Sequence, residues 1–136
     1  MKPNKFYFSI GGFMGQSFEL STNEKANELT LATYERGYES KQTSTTEINA
    51  DWWNQLESLL DDLNGWQWEK EYKEDSIMDG TDWEIRLRTN GKALVSSGLN
   101  AYPNEPPFPY APIDDEPSDF DRLLAFLSKT EGQEIE

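Results

Sequence analysis

The sequence predicts an α+β fold: an antiparallel or mixed sheet of about five to six strands, with two helices packed on one face. Three observations lead there. Several short runs place apolar residues at every second position, two longer stretches place them at helical spacing, and strands follow strands instead of alternating singly with helices.

Phe6, Phe8 and Ile10 alternate with Tyr7 and Ser9, the period of a half-buried strand. Gly11-Gly12-Phe13-Met14-Gly15 interrupts it, and residues 16–20 return as a second strand. No Lys or Ser/Thr follows these glycines at phosphate-loop spacing and no dinucleotide fingerprint is present. A turn or bulge needing positive φ accounts for them. Residues 28–34, with Leu29 and Leu31, read as a third strand; Arg36-Gly37 marks a turn, and the Thr-rich residues 39–46 read as an edge or solvent-facing strand.

A helix follows over residues 50–63. Trp52, Trp53, Leu56, Leu59, Leu60 and Leu63 make one apolar stripe, Asn49 suits the N-cap, and Asp51 places an anion in the first turn. Ile48 and Trp53 stand at the two positions of a hydrophobic staple, and Asn64-Gly65 supplies a left-handed stop. Trp66, Trp68 and Tyr72 alternate with polar residues, so a strand is expected to begin directly after the helix. Beyond the polar loop 73–82, Trp83, Ile85 and Leu87 alternate with Glu84, Arg86 and Arg88. Asn90-Gly91 is the preferred two-residue hairpin turn, and it sets Leu87 opposite Leu94, Ile85 opposite Ser96 and Trp83 opposite Gly98.

Six of the seven prolines fall between Pro103 and Pro117, a density that forbids helix and central strand. This segment is either a functional loop or a belt whose Tyr102, Phe108 and Tyr110 pack back on the body; its PxxP spacings lack the flanking basic residues of an SH3 ligand. A last helix is expected over 119–128, capped by Ser118 and Asp121, with Phe120, Leu123, Leu124 and Leu127 in one stripe. Residues 129–136 read as a frayed tail, and the 136 residues as one domain.

Composition narrows the chemistry. The chain has no cysteine and no histidine, which excludes thiolate catalysis, Cys-built zinc sites and the Ser-His-Asp and Cys-His machineries. Five Trp, six Tyr and seven Phe supply enough apolar surface to mark a folded chain despite the low apolar fraction. No signal peptide or membrane span is recognisable, so a cytoplasmic protein is expected.

Net charge is −14, unevenly placed: −1 over residues 1–50, −6 over 51–100 and −7 over 101–136. Such a field repels nucleic-acid phosphates and anionic membranes and speeds encounter with basic proteins. Solubility alone also accounts for it.

Two kinds of site follow. Asp75, Asp79 and Asp82 around the Gly80 turn can gather oxygens for Ca²⁺ or Mg²⁺, although the spacing departs from the EF-hand pattern and a solvated turn is the simpler reading. Among 26 acids no pair is singled out for general acid–base work. Trp53, at the margin of its stripe beside carboxylates, has the composition of an interface anchor with a charged rim. The candidate partner-binding set is therefore Trp53, Glu57, Asp61, Asp62, Asp75, Asp79, Asp114, Asp115 and Glu116, with no catalytic residue, metal ligand or cofactor assigned.

Trp66-Gln67-Trp68, Tyr72, Asp79-Gly80-Thr81-Asp82-Trp83 and Gly98-Leu99-Asn100-Ala101-Tyr102-Pro103, preceded by a helix opening Asp51-Trp52-Trp53, together resemble a pattern of small uncharacterised bacterial proteins. The resemblance covers about half the chain, implies a fold and carries no activity. By composition alone, the chain is also similar to immunity proteins that neutralise bacterial toxins and to phage-encoded inhibitors. The expected function is an acidic protein-binding module docking a basic partner, such as a toxin or nucleic-acid-binding protein, without touching nucleic acid or membrane itself. The alternative is a small-ligand or divalent-metal-binding domain using the loop from Asp75 to Asp82.

Overall fold

The computed structural model describes residues 4–12, 17–35, 40–73, 81–89, 91–99 and 119–131. Alternation of apolar and polar residues builds seven strands: β1 (Lys5–Gly12), β2 (Ser17–Thr22), β3 (Glu28–Glu35), β4 (Ser40–Glu47), β5 (Glu71–Lys73), β6 (Thr81–Thr89) and β7 (Lys92–Leu99). Two helices, α1 (Ala50–Leu63) and α2 (Asp119–Glu131), complete the order β1-β2-β3-β4-α1-β5-β6-β7-α2. The strands form one open sheet, β4-β3-β2-β1-β6-β7-β5. Every pairing is antiparallel except β5 with β7, so the α+β fold holds a mixed sheet with one strand more than expected. Among the described residues, no helix is long and apolar enough to cross a membrane.

Both helices lie on one face. Phe6, Phe8, Ile10, Phe18, Leu20, Leu29, Leu31, Trp83, Ile85, Leu87 and Leu94 are buried and belong to a single register-matched set. Trp52 of α1 meets Phe6 edge-on with centroids 5.8 Å apart. Phe120 of α2 packs on Trp83 at 4.8 Å and on Phe8 at 6.1 Å. The helices meet each other through Trp52 and Phe126. The opposite side carries the alternate residues of the same strands, and no described element covers it.

The helix opens and closes as its sequence requires. Asn49 Oδ1 accepts from the Trp52 N–H at 3.0 Å, and Asn64 ends α1 in the left-handed conformation with φ 55°. The left-handed residue is thus Asn64 itself. Gly65 answers a different need, because a Cβ there would meet Leu60 Cδ2 at 2.5 Å. Gly11 is likewise not the turn residue that positive φ would make it. It pairs with Asp82 inside β1, where a side chain would run into Ser17 of β2.

The strand expected directly after the helix is replaced by a 3₁₀ turn, Gly65–Gln67, closed by Gln67 N–H to Asn64 O and Trp68 N–H to Gly65 O. That turn drops Trp68 into the core against Trp83 and leaves Trp66 partly buried, packed against the core with its Nε1 donating to Asp61. Only Glu71–Lys73 then joins the sheet, held beside β7 by Ser97 N–H to Lys70 O and by Ser96 Oγ to Glu69 O at 2.6 Å. The β6–β7 hairpin has the expected register, Leu87 with Leu94, Ile85 with Ser96 and Trp83 with Gly98, and Gly91 has φ 79°. Gly98 also pairs with Tyr72 of β5. With no side chain between them, the Trp83 and Tyr72 rings approach to 6.1 Å across it.

The end of α2 is fastened, where a frayed tail was expected from residue 129. Thr130 Oγ1 accepts from Trp52 Nε1 at 3.0 Å, and Thr46 Oγ1 donates to Glu131 Oε2 at 3.3 Å. Residues 132–136, the proline-rich 101–117 segment and the turn at Arg36-Gly37 lie outside the described residues.

Two predictions follow from this packing. Leu60, fully buried between helix and sheet, should cost about 2–5 kcal/mol of stability when changed to Ala, whereas the exposed Asp62→Ala should stay within about 0.5 kcal/mol, both by urea unfolding. For Glu131, burial raises the carboxyl above its usual pKa, against the lowering effect of the Thr46 and Ser44 hydroxyls. The folded chain then holds that proton more tightly than the unfolded one. Stability therefore declines as pH rises from the ordinary glutamate value through the raised one. Glu131→Gln should abolish the decline, so its advantage over the native chain grows across that window and levels off above it; a pH-independent difference would exclude the assignment.

Candidate functional site

Of the residues assigned to partner binding from the sequence, four are described, Trp53, Glu57, Asp61 and Asp62, all on α1. Trp53 is buried, 4% exposed, against Trp52, and its Nε1 donates to Ala26 O at 2.9 Å. That bond holds Ala26, which has a left-handed φ of 58°, in the turn between β2 and β3. The indole is therefore an internal strut and not an interface anchor. Glu57 is half-buried, while Asp61 and Asp62 are exposed on the outer side of α1 with Asp51. Asp61 is engaged within the chain: its Oδ1 accepts from Trp66 Nε1 at 2.9 Å and lies 3.8 Å from Lys92 Nζ, which itself stands over the Trp66 ring. Asp75, Asp79, Asp114, Asp115 and Glu116 lie outside the described residues.

Among the described residues the acidity is not gathered on one side. Besides the α1 carboxylates, the strands send Glu19, Glu71, Asp82 and Glu84 to the opposite, uncovered face of the sheet. Among the described residues no group of three or more acidic side chains is close enough to hold a metal ion; Asp82, the one described member of the proposed metal loop, stands on β6 opposite Gly11 and Leu99.

That uncovered face is the more developed surface, and strand periodicity puts it there. With Phe6, Phe8 and Ile10 inward, Lys5, Tyr7 and Ser9 must point outward. The same alternation sends out Glu84, Arg86 and Arg88 on β6, and Val95, Ser97 and Leu99 on β7. Val95 is 52% exposed and Leu99 38%, the two exposed large aliphatics among the described residues.

Hydrogen bonds fix the polar part of this face. Glu19 accepts from Tyr7 through Oε2 and from Tyr34 through Oε1, both at 3.1 Å, so one carboxylate on β2 ties strands β1 and β3. Burial, and then the neighbouring Glu19 and Glu84 carboxylates, raise the Tyr7 pKa, with a Ser9 hydrogen bond opposing them. Tyr7 accordingly remains a protonated donor near neutral pH. Glu84 pairs with Arg86 along β6.

Two grooves run across the face. One, of about 530 Å³, lies toward β5 and is lined by Tyr7, Ser9, Glu71, Asp82, Glu84 and Ser97. The other, of about 440 Å³, lies toward the hairpin and is lined by Lys5, Tyr7, Arg86, Arg88, Ala93 and Val95. Glu84 and Tyr7 border both. The first presents carboxylates over hydroxyls; the second presents cations around an apolar floor. Sequence reasoning had the signal for this face, since Tyr7, Glu84, Arg86 and Arg88 are the outward members of the alternating runs, but it weighed only the inward ones. No family model matches the chain, and no curated protein matches it.

Proposed function

We propose that the chain is a protein-binding module that docks a basic partner on the uncovered face of its sheet, as an immunity or inhibitor protein would. The observation that carries this reading is the groove lined by Glu71, Asp82 and Glu84 beside Tyr7, on a face that also exposes Val95 and Leu99. Tyrosine and arginine are residues that interface centres favour, and carboxylates at their margin select for lysine and arginine. The net charge of −14, including Asp51, Asp61 and Asp62 on the far side of α1, adds a long-range field that draws a cationic protein in. A chain without histidine or cysteine suits binding better than turnover.

A lysine-rich peptide titrated into ¹⁵N-labelled protein tests this directly. Amide shifts are expected at Ser9, Glu71, Asp82 and Ser97, with affinity falling as salt screens beyond a Debye length of ~8 Å near physiological ionic strength. Reversing both exposed charges, Glu71→Lys with Asp82→Lys, should weaken the peptide by about tenfold. Binding that ignores salt, or that survives the double reversal, would sink the proposal.

A further inference from the structure

The two edges of the sheet are finished differently. At one, β5 offers only three residues, two of them charged by sequence. Short, charged edge strands discourage pairing with another chain. At the other, β4 runs for eight residues in unbroken register with β3, from the Glu28–Glu47 pair to the Glu35–Ser40 pair. It contains no Pro, no Gly and no bulge, and residues 42–46 are uncharged. Gln42, Thr43, Ser44 and Thr45 are all exposed, so among the described residues neither side of the strand is covered there.

Backbone bonding shows which groups face out. Ile48 N–H donates to Asn27 O at 3.0 Å, one step beyond the Glu28–Glu47 pair. Antiparallel ladders alternate, so Ser40, Gln42, Ser44 and Thr46 bond β3, while the N–H and C=O groups of Lys41, Thr43, Thr45 and Glu47 point away from it. The order of these four is self-complementary. Turned about Ser44, the strand sets Thr43 opposite Thr45 and Lys41 opposite Glu47, every one with outward backbone groups. Threonine pairs and opposite charges are favourable cross-strand neighbours. Thr45 already makes such a contact with Thr30 of β3, hydroxyl to hydroxyl at 3.2 Å. Glu47 has a further reason to take a cation across from it, because within the chain it stands opposite Glu28, a like charge.

We infer that the β4 edge pairs with β4 of a second copy of this chain, antiparallel about Ser44. The net charge of −14 on each copy opposes association, and β4, whose one lysine and one glutamate cancel, adds no net charge to the contact. By symmetry the Lys41–Glu47 and Thr43–Thr45 pairs each occur twice. Residues paired across strands share a face, so the two-fold axis stands perpendicular to the sheet. The helices of both copies then lie on one side, and the two uncovered faces join into one surface on the other.

Sedimentation equilibrium at an ionic strength of ~0.15 M, where repulsion is screened beyond ~8 Å, tests this. The mass should rise from monomer toward dimer as the protein approaches about 1 mM, since an edge contact is small and therefore weak. Lys41→Glu should weaken the dimer about tenfold, because two symmetric pairs become repulsive. Glu47→Lys alone should weaken it as well, although it lowers the overall repulsion between copies. The two changes combined exchange the charges and should restore the native affinity. Thr43→Pro deletes an outward N–H that β3 does not use, so the fold should tolerate it while the dimer is lost. The charge exchange carries the test by itself if the proline variant does not fold. A chain that stays monomeric throughout overturns the inference. A dimer indifferent to the single charge reversals, or one that the exchange fails to restore, overturns it too and assigns the contact to another surface.

Discussion

Seven strands share two helices, and both helices lie on the same side. That asymmetry governs the molecule. Because α1 and α2 seal one face, the buried apolar side chains of the sheet are drawn to it, and only Val95 and Leu99 among the described large aliphatics stay exposed on the other. The seal depends on indoles that do two tasks each. Trp52 packs on Phe6 with its ring and fastens the end of α2 with its N–H, while Trp53 fills the core and ties down the strained turn at Ala26. One helix turn thus binds the sheet, the other helix and the β2–β3 connection together.

On the proposed docking function, the same asymmetry decides where recognition occurs. Polar residues excluded from the sealed side have two places to go, and they divide between them. The outer side of α1 takes carboxylates without a single basic residue in the helix, whereas the free sheet face takes both signs. A helix surface of one sign contributes field; a face with segregated signs, fixed hydrogen bonds and exposed aliphatics offers shape and register as well. In the proposed function, long-range attraction and local fit fall to opposite sides of one small structure.

Much of this was legible in the residues. Asn90-Gly91 fixed the β6–β7 register because a two-residue turn leaves no freedom in pairing, and Asn49 and Asn64 marked both ends of α1 because helix ends need side-chain or left-handed solutions. What escaped reading has definite causes. Trp66 and Trp68 alternate as a strand would, yet at this spacing a tight 3₁₀ turn also places one indole deep in the core and the other partly buried against it, and the buried partner Trp83 decides between them. Trp53 looked marginal on a helical wheel because its partner, the carbonyl of Ala26, is remote in sequence. Thr130 and Glu131 looked like a tail for the same reason, since Trp52 and Thr46 that hold them lie some eighty residues away. The candidate surface was visible in the alternation itself, on the members that the search for a core set aside.

Alternation along β1, β6 and β7 has an evolutionary corollary. Each outward residue neighbours, in sequence, an inward one on which folding depends, but the two never share an environment. On the proposed function, substitutions at exposed outward positions such as Arg86 and Val95 alter specificity while leaving the buried packing intact, whereas changes at inward Phe6 or Ile85 disturb the fold. Under the proposed docking of a basic partner, a scaffold so divided can follow changes in that partner through many rounds of mutation while its architecture stays the same.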